Sequence, residues 1–379
     1  MQSKEFPERV MIMVIREKKV KVAAVQAMPV TPMNKKATLD KACDLIAEAG
    51  NNGAELVVFP EGFIPMFPNW SMDMQNESEW SDLLTEMIMN SIQVPGEDTA
   101  VLGQAAKKAG ASLCMGCNEV IDLYPGVLYN TLIFFGPDGN LIGRHRKLTP
   151  SHRERVIHAR GTVEDLFHVV ETQIGRIGGL ICYEHLQPLF KYAMMTQGEQ
   201  IHCACWPGWP GFPPPGRSNY PVIDTMSRAY AMESACFVVL SSMWLPPDLR
   251  EKYGQNGHAG MKNAHWGFVG GSGIINPLGQ YIAGPLMDGE GILYAEIELK
   301  DIVKRKGYVD TVGKDSRWDL MRLVVGENQP APYTTGFPKV KLEGESNIGV
   351  SDQKTVRELK TQIDELTKEI QQLKSGKMI

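Results

Sequence analysis

Three residues of different chemical type stand at the ends of strand-like apolar runs. Glu61 follows ELVVFP, Lys147 lies at the end of the arm LIGRHRKL, and Cys182 closes GGLIC. A carboxylate, an ammonium and a thiol at neighbouring strand ends can perform one kind of chemistry. Glu61 accepts the thiol proton, Cys182 attacks an electrophilic carbon, and Lys147 stabilises the anion that develops on nitrogen or oxygen. Taken singly, each has a plainer reading. A buried cysteine is usually inert packing. Glu61 could cap a helix. Lys147, flanked by Arg144 and Arg146, could belong to a solvated basic cluster.

The context of Cys182 favours chemistry. In GGLICYEHLQPL (178–189) a strand ends at the cysteine and a helix begins near Leu186. In such a turn a side chain can be exposed, and first-turn N–H groups can stabilise an anion. Gly178 and Gly179 permit close backbone approach. The run CYEH also offers His185 as a cysteine-protease base. Residues so close in a turn seldom converge on one substrate, so Glu184 and His185 are read as orienting the nucleophile loop by hydrogen bonds.

The elements that must position these groups alternate between strand and helix. VKVAAVQAMP (20–29) reads as a buried strand, KKATLDKACDLIAEAGNNGA (35–54) as a helix and ELVVFPEGF (55–63) as a second strand. This β-α-β opening predicts a layered α/β fold, in which functional groups gather at strand ends. Further helices are predicted over 78–92, 98–111, 186–200 and 222–235. Strands are predicted over 112–120, 201–207 and 236–242. Hairpins are predicted over 128–148, 167–183 and 270–285, the first around the turn signal PDGN. The segment 291–306 runs from strand into helix. The Pro/Gly-rich loop WPGWPGFPPPGRSNYP begins at Trp206 and reads as a pocket wall.

Composition narrows the class. With 43% hydrophobic and 22% charged residues, the 379-residue chain can bury a large core unaided. A net charge of −5 does not favour a nucleic-acid partner. Seven scattered cysteines, with only a lone CxxC at 114–117, point to free thiols in a reducing compartment. No apolar run reaches membrane-spanning length, and Val10–Ile15 is too short for a signal-peptide core. The reading is cytoplasmic. Near the end, Val356, Leu359, Ile363, Leu366, Ile370 and Leu373 alternate three and four apart, an a/d seam with β-branched residues at a and leucine at d. This favours a parallel two-stranded coil; the alternative is an amphipathic helix packed on its own domain.

The segments VVFPEGFIP, HRKLTPSHRER and GLICYEHLQPLFKYAMMTQGEQIH resemble, in order and spacing, the three signature segments of the nitrilase superfamily of carbon–nitrogen hydrolases. The resemblance spans roughly 20–320 and is strongest to the nitrilase branch, which includes arylacetonitrilase-like and cyanide-degrading enzymes. It implies Glu61 as general base, Lys147 as electrostatic stabiliser, Cys182 as nucleophile and Glu154 as a second active-site glutamate that positions the lysine and water. It also implies a four-layer α-β-β-α sandwich, no metal or organic cofactor, and a homo-oligomer, either a dimer or a larger spiral. The implied reaction takes a small-molecule nitrile and water to carboxylic acid and ammonia. The alternatives are an amidase or an amide-releasing nitrile or cyanide hydratase and, from another class, a non-catalytic self-assembling scaffold.

The expected organisation is an N-terminal extension (1–19), a hydrolase domain (20–320), an irregular segment (321–350) and a coiled-coil-like helix (351–376). Expected pocket residues are Tyr183, Trp206 and Trp209. Two departures stand out. Tyr183 replaces the tryptophan that the branch usually carries after the nucleophile. Near 310–320, Lys314, Asp315 and Trp318 replace the branch's usual His, Tyr and Pro, while Ser316, Arg317 and Asp319 remain.

Overall fold

The β-branched runs of the sequence pair into two sheets in the computed structural model. It describes residues 19–31, 33–72, 76–166, 168–208, 220–246, 270–321, 323 and 325. The first sheet contains β1 (Lys19–Gln26), β2 (Leu56–Val58), β3 (Ser112–Ile121), β4 (Tyr124–Phe135), β5 (Leu141–Arg146) and β12 (Gly291–Glu298), in the order β12-β1-β2-β3-β4-β5. The second contains β6 (Val170–Thr172), β7 (Gly175–Ile181), β8 (Ile201–Trp206), β9 (Phe237–Ser242), β10 (Ser272–Ile275) and β11 (Tyr281–Leu286), in the order β11-β10-β9-β8-β7-β6. Both sheets are mixed. Strands β1, β2 and β3 are parallel, as are β7, β8 and β9, and antiparallel partners flank each set.

Side-chain alternation along the strands makes the layers. On β1, Val20, Val22 and Ala24 join one core with residues of the second sheet. Ala23 and Val25 point the other way and pack with α1 (Lys35–Asn51) and α3 (Glu97–Ala109), through Ala42, Ile46, Leu102 and Ala106. A methyl added at Gly178 would lie 2.7 Å from Met194 of α5 (Pro188–Thr196), whereas one at Gly179 would lie 3.2 Å from Leu132 of the first sheet. The adjacent glycines thus face the outer helices and the inner layer respectively. With α6 (Tyr220–Ser234) beside α5, the result is a four-layer α-β-β-α sandwich. The described residues also include α2 (Glu77–Asn90), α4 (Val163–Leu166) and α7 (Lys300–Tyr308).

Three elements differ from the sequence expectation. The strand expected over 55–63 stops at Val58, because Pro60 has no N–H to donate. Pairing is restored at Ile64, whose N–H donates to the Gly116 carbonyl, and the chain between departs from the ladder as a buried bulge carrying Glu61. The hairpin arm expected from residue 128 begins at Tyr124, so β4 pairs along nearly all of β3. The helix expected over 186–200 is shorter, Pro188–Thr196, with Pro188 at its first position, and a 3-10 turn, Cys182–Leu186, precedes it. The heptad segment 351–376 and Trp209 lie outside the described residues.

The bulge that carries Glu61 crosses directly over β3. A Cβ on Gly116 would fall 2.1 Å from the Pro60 carbonyl oxygen and 2.9 Å from Glu61 Cα. Gly116→Ala is therefore expected to cost about 1–3 kcal/mol in denaturant unfolding. Because the displaced backbone is that of Glu61, activity of the folded fraction is expected to fall as well. Unchanged stability and activity together would contradict this packing.

Candidate active site

Three strand ends and a 3-10 turn converge on one buried charge cluster. Glu61 sits three residues past β2, Lys147 one residue past β5, and Cys182 one residue past β7. Glu154 lies in a 3-10 turn, His152–Val156, just beyond Lys147. Lys147 is fully buried, and its Nζ donates to Glu61 Oε1 at 2.7 Å and to Glu154 Oε2 at 2.7 Å. Glu61 and Glu154 are equally buried. The solvated-cluster reading of Lys147 is thus excluded. Its neighbours Arg144 and Arg146 turn instead to the buried carboxylate of Glu119.

Asn130 on β4 completes the cluster. Its Nδ2 donates to Glu61 Oε1 at 2.6 Å and to Glu154 Oε1 at 2.9 Å. The Ser151 N–H adds a bond to Glu154 Oε2 at 2.9 Å, and His158 Nδ1 lies 3.4 Å from Glu154 Oε1. One carboxylate oxygen, Glu61 Oε2, has no hydrogen-bond partner among the described residues although it is buried. A buried acceptor with no partner is costly unless a reactant uses it.

Cys182 occupies a left-handed backbone conformation, φ 51°, which a non-glycine residue adopts only when its surroundings enforce it. The enforcement comes from both neighbours singled out in the sequence. Glu184 accepts from the Ile181 N–H at 2.8 Å, the Leu148 N–H at 2.8 Å and His145 Nε2 at 2.7 Å, tying the cysteine turn to the lysine loop. His185 Nδ1 donates to the Cys182 carbonyl at 2.7 Å. This is the orienting role read from the sequence, and it leaves His185 aimed at backbone rather than at the thiol.

A cavity of about 370 Å³ opens beside this turn, lined in part by Thr149, Pro150, His152, Arg155, Tyr183 and Leu186. That volume suits a small organic ligand. Tyr183 lies in the wall. Trp206 does not: it is buried behind the wall, stacked on His185 at 5.0 Å and edge-on to Tyr183 at 6.3 Å. As the last residue of β8 it continues the inner packing before the loop departs, so it shapes the pocket only through its neighbours.

The carbon–nitrogen hydrolase profile matches residues 21–306. The chain belongs to the carbon–nitrogen hydrolase family. It is 34% identical to a nitrilase of Paraburkholderia phymatum, covering 83% of this chain and 88% of that one. It is 36% identical to an arylacetonitrilase of Aspergillus oryzae, covering 81% and 91%. It is 34% identical to an aliphatic nitrilase of Rhodococcus rhodochrous, covering 87% and 86%. Two solved structures share the fold. A Helicobacter pylori carbon–nitrogen hydrolase superposes with a TM-score of 0.62 at 20% identity, over 79% of this chain and 96% of that one. Saccharomyces cerevisiae Nit3, of the nitrilase superfamily, gives 0.61 at 22%, over 79% and 98%.

In this carbon–nitrogen hydrolase the electrostatics divide the two carboxyls. Burial pushes Glu61 up to about 7, assisted by the charge of Glu154 and only partly opposed by Lys147. Burial also disfavours a charged Glu154, but Lys147 and His158 outweigh it and hold that carboxyl well below the usual range. Burial opposes the Lys147 charge too, yet Glu154 and Glu61 keep the ammonium well above its ordinary value. The Cys182 thiol is raised by burial and by Glu61, and lowered by Lys147. The arrangement can therefore hold a neutral thiol beside a carboxylate poised to take its proton, with a permanent cation alongside.

Reading the sequence identified Glu61, Lys147, Cys182 and Glu154, and the structure brings all four together. Asn130 was missed. Its only signal was a pair of polar residues, Asn130 and Thr131, inside the apolar strand LYNTLIFF.

A base with its pKa near 7 is effective only when ionised. As pH falls through about 7, Glu61 takes up a proton and the proton acceptor is lost. The value of kcat/KM is thus expected to decline on the acid side of about pH 7. Glu61→Gln is expected to reduce kcat by about 10²–10⁴ and to remove that acid limb. An unchanged acid limb in Glu61→Gln would assign it to another group.

Proposed function

We propose that the chain hydrolyses an organic nitrile to the carboxylic acid and ammonia. The observation that carries this reading is the buried Lys147 ammonium held between Glu61 and Glu154 beside Cys182. The names of the similar nitrilases supply the substrate class.

In this proposal Glu61 removes the Cys182 proton as sulfur adds to the nitrile carbon, giving a thioimidate. Lys147 stabilises the charge that builds on nitrogen. Glu61 then activates water, which adds to the same carbon. Collapse of the tetrahedral intermediate expels ammonia and leaves a thioester, and a second water releases the acid and regenerates the thiol. Two waters and one nitrile are consumed for each acid and ammonia formed. Glu154 positions Lys147, and Tyr183 borders the substrate cavity. Expulsion of the thiol at the tetrahedral stage would give an amide instead.

The hydrolase domain is proposed to span 20–320. The heptads over 351–376 are proposed to pair between chains and to enlarge a homo-oligomer beyond a dimer. The seven cysteines are free thiols, which supports a cytoplasmic location. No helix among the described residues is long and apolar enough to cross a membrane.

A nitrile and amide panel with acid, amide and ammonia all quantified tests the reaction. Equal amounts of acid and ammonia are expected, with amide only minor. A stable amide as main product would favour the hydratase reading. Cys182→Ala is expected to lower turnover by about a thousandfold or more, and retained ammonia release would defeat the nucleophile assignment. Truncation after residue 350 is expected to reduce particle size in light scattering while leaving kcat within about twofold. An unchanged particle size would reject pairing between chains.

A further inference from the structure

Behind the nucleophile turn runs a second chain of buried polar groups that the reaction above does not use. His185 Nδ1 meets the Cys182 carbonyl at 2.7 Å, and His185 Nε2 meets His202 Nε2 at 3.0 Å. His202 Nδ1 meets Glu199 Oε1 at 2.8 Å, and the Tyr230 hydroxyl donates to Glu199 Oε2 at 2.5 Å. All four side chains are buried. The rings are fixed by stacking, His185 on Trp206 and His202 on Tyr230 at 3.7 Å. So much buried polarity is retained only when every gap holds a proton.

Proton counting fixes the state of the chain. A backbone carbonyl can only accept, so His185 Nδ1 must carry hydrogen. His185 Nε2 is then an acceptor unless the ring is charged, and burial, His202 and Lys191 hold its pKa well below the ordinary value. His202 Nε2 must therefore donate. The remaining gap, between His202 Nδ1 and Glu199, takes a third proton. Two imidazoles and one carboxyl hold three protons only when they are neutral as a unit, whether as an ion pair or as an uncharged acid. The other titratable or charged groups acting on these rings and on Tyr230 include Lys191, His145, His168, Glu233 and Cys236.

The far end of this chain is the peptide group between Cys182 and Tyr183. Its carbonyl accepts from His185, and its N–H, on Tyr183, lies beside the Cys182 sulfur and favours the thiolate. A hydrogen bond to an amide carbonyl polarises the amide and strengthens its N–H as a donor. We infer that Glu199, His202 and His185 form a positioning relay that locks the Cys182–Tyr183 peptide in its strained orientation and sharpens its N–H toward the nucleophilic sulfur. The inference rests on Cys182 being the nucleophile.

The test compares His185→Leu, which removes the donor, with His185→Asn, whose amide N–H can occupy the place of Nδ1. The readouts are the rate of Cys182 alkylation by iodoacetamide across pH, followed by peptide mass spectrometry, and kcat and KM on the best nitrile. His185→Leu is expected to slow alkylation about tenfold at neutral pH and to shift its pH profile upward. Its kcat is expected to fall in proportion, with KM within about threefold. His185→Asn is expected to recover most of the loss. His202→Phe keeps a ring against Tyr230 but cuts the relay, and is expected to slow alkylation about threefold. If His185→Leu does not fold, His202→Phe decides. Wild-type rates and pH profile in His202→Phe, or in His185→Leu, would overturn the relay. So would equal losses in the Leu and Asn variants. Alkylation does not depend on the substrate, so a failure of the nitrile assignment leaves the result readable. Wild-type Cys182 no more reactive than Cys43 would instead reject the nucleophile, and the relay with it.

Discussion

The rest of the site depends on a buried lysine. Lys147 is withdrawn completely from water, and its ammonium is tolerable there only because two carboxylates meet it at hydrogen-bond distance. The constraint is mutual. Removing one partner from a buried ion pair costs about 3–5 kcal/mol, because the remaining charge is stranded. Glu61, Lys147 and Glu154 must therefore be delivered together, from two strand ends and a 3-10 turn, or not at all. Asn130 ties the two carboxylates into one rigid frame through a single side-chain nitrogen.

This frame also makes the two glutamates different. Both are buried, but Glu154 takes the larger share of positive charge and backbone donors, so it stays ionised and structural. Glu61 keeps one oxygen without a partner among the described residues and a carboxyl raised to about 7. A residue in that state can gain and lose a proton near neutral pH without dismantling the cluster. The same economy holds at the cysteine turn, where Glu184 bonds two backbone N–H groups and His145, and His185 bonds the Cys182 carbonyl and His202. In doing so they maintain a cysteine conformation that would otherwise relax.

Much of this was legible in the chain. The apolar period of two, broken by Pro60 and by the PDGN turn, located most strands to within a few residues. Glu61, Lys147 and Cys182 were conspicuous because a polar group directly after a buried strand needs a reason. Asn130 was not conspicuous, because a single amide inside a strand reads equally well as an exposed edge. Trp206 was expected both to close the strand over 201–207 and to open the pocket-wall loop, and the structure keeps it in the strand. It begins a Pro/Gly-rich loop in the sequence, but its ring belongs to the strand that precedes the loop.

By itself the sequence determined most of the elements and the residue types available for chemistry, because these follow from local periodicity, turn residues and the cost of burying charge; the order of the layers was implied only by the family resemblance. Only the tertiary structure decided which oxygen of Glu61 remains available, that Lys147 is dry rather than solvated, and that His185 faces a carbonyl instead of a thiol. Those outcomes depend on burial and on contacts between residues far apart in the chain. The resulting electric field, which separates the proton affinities of Glu61 and Glu154, exists only after the sheets have packed.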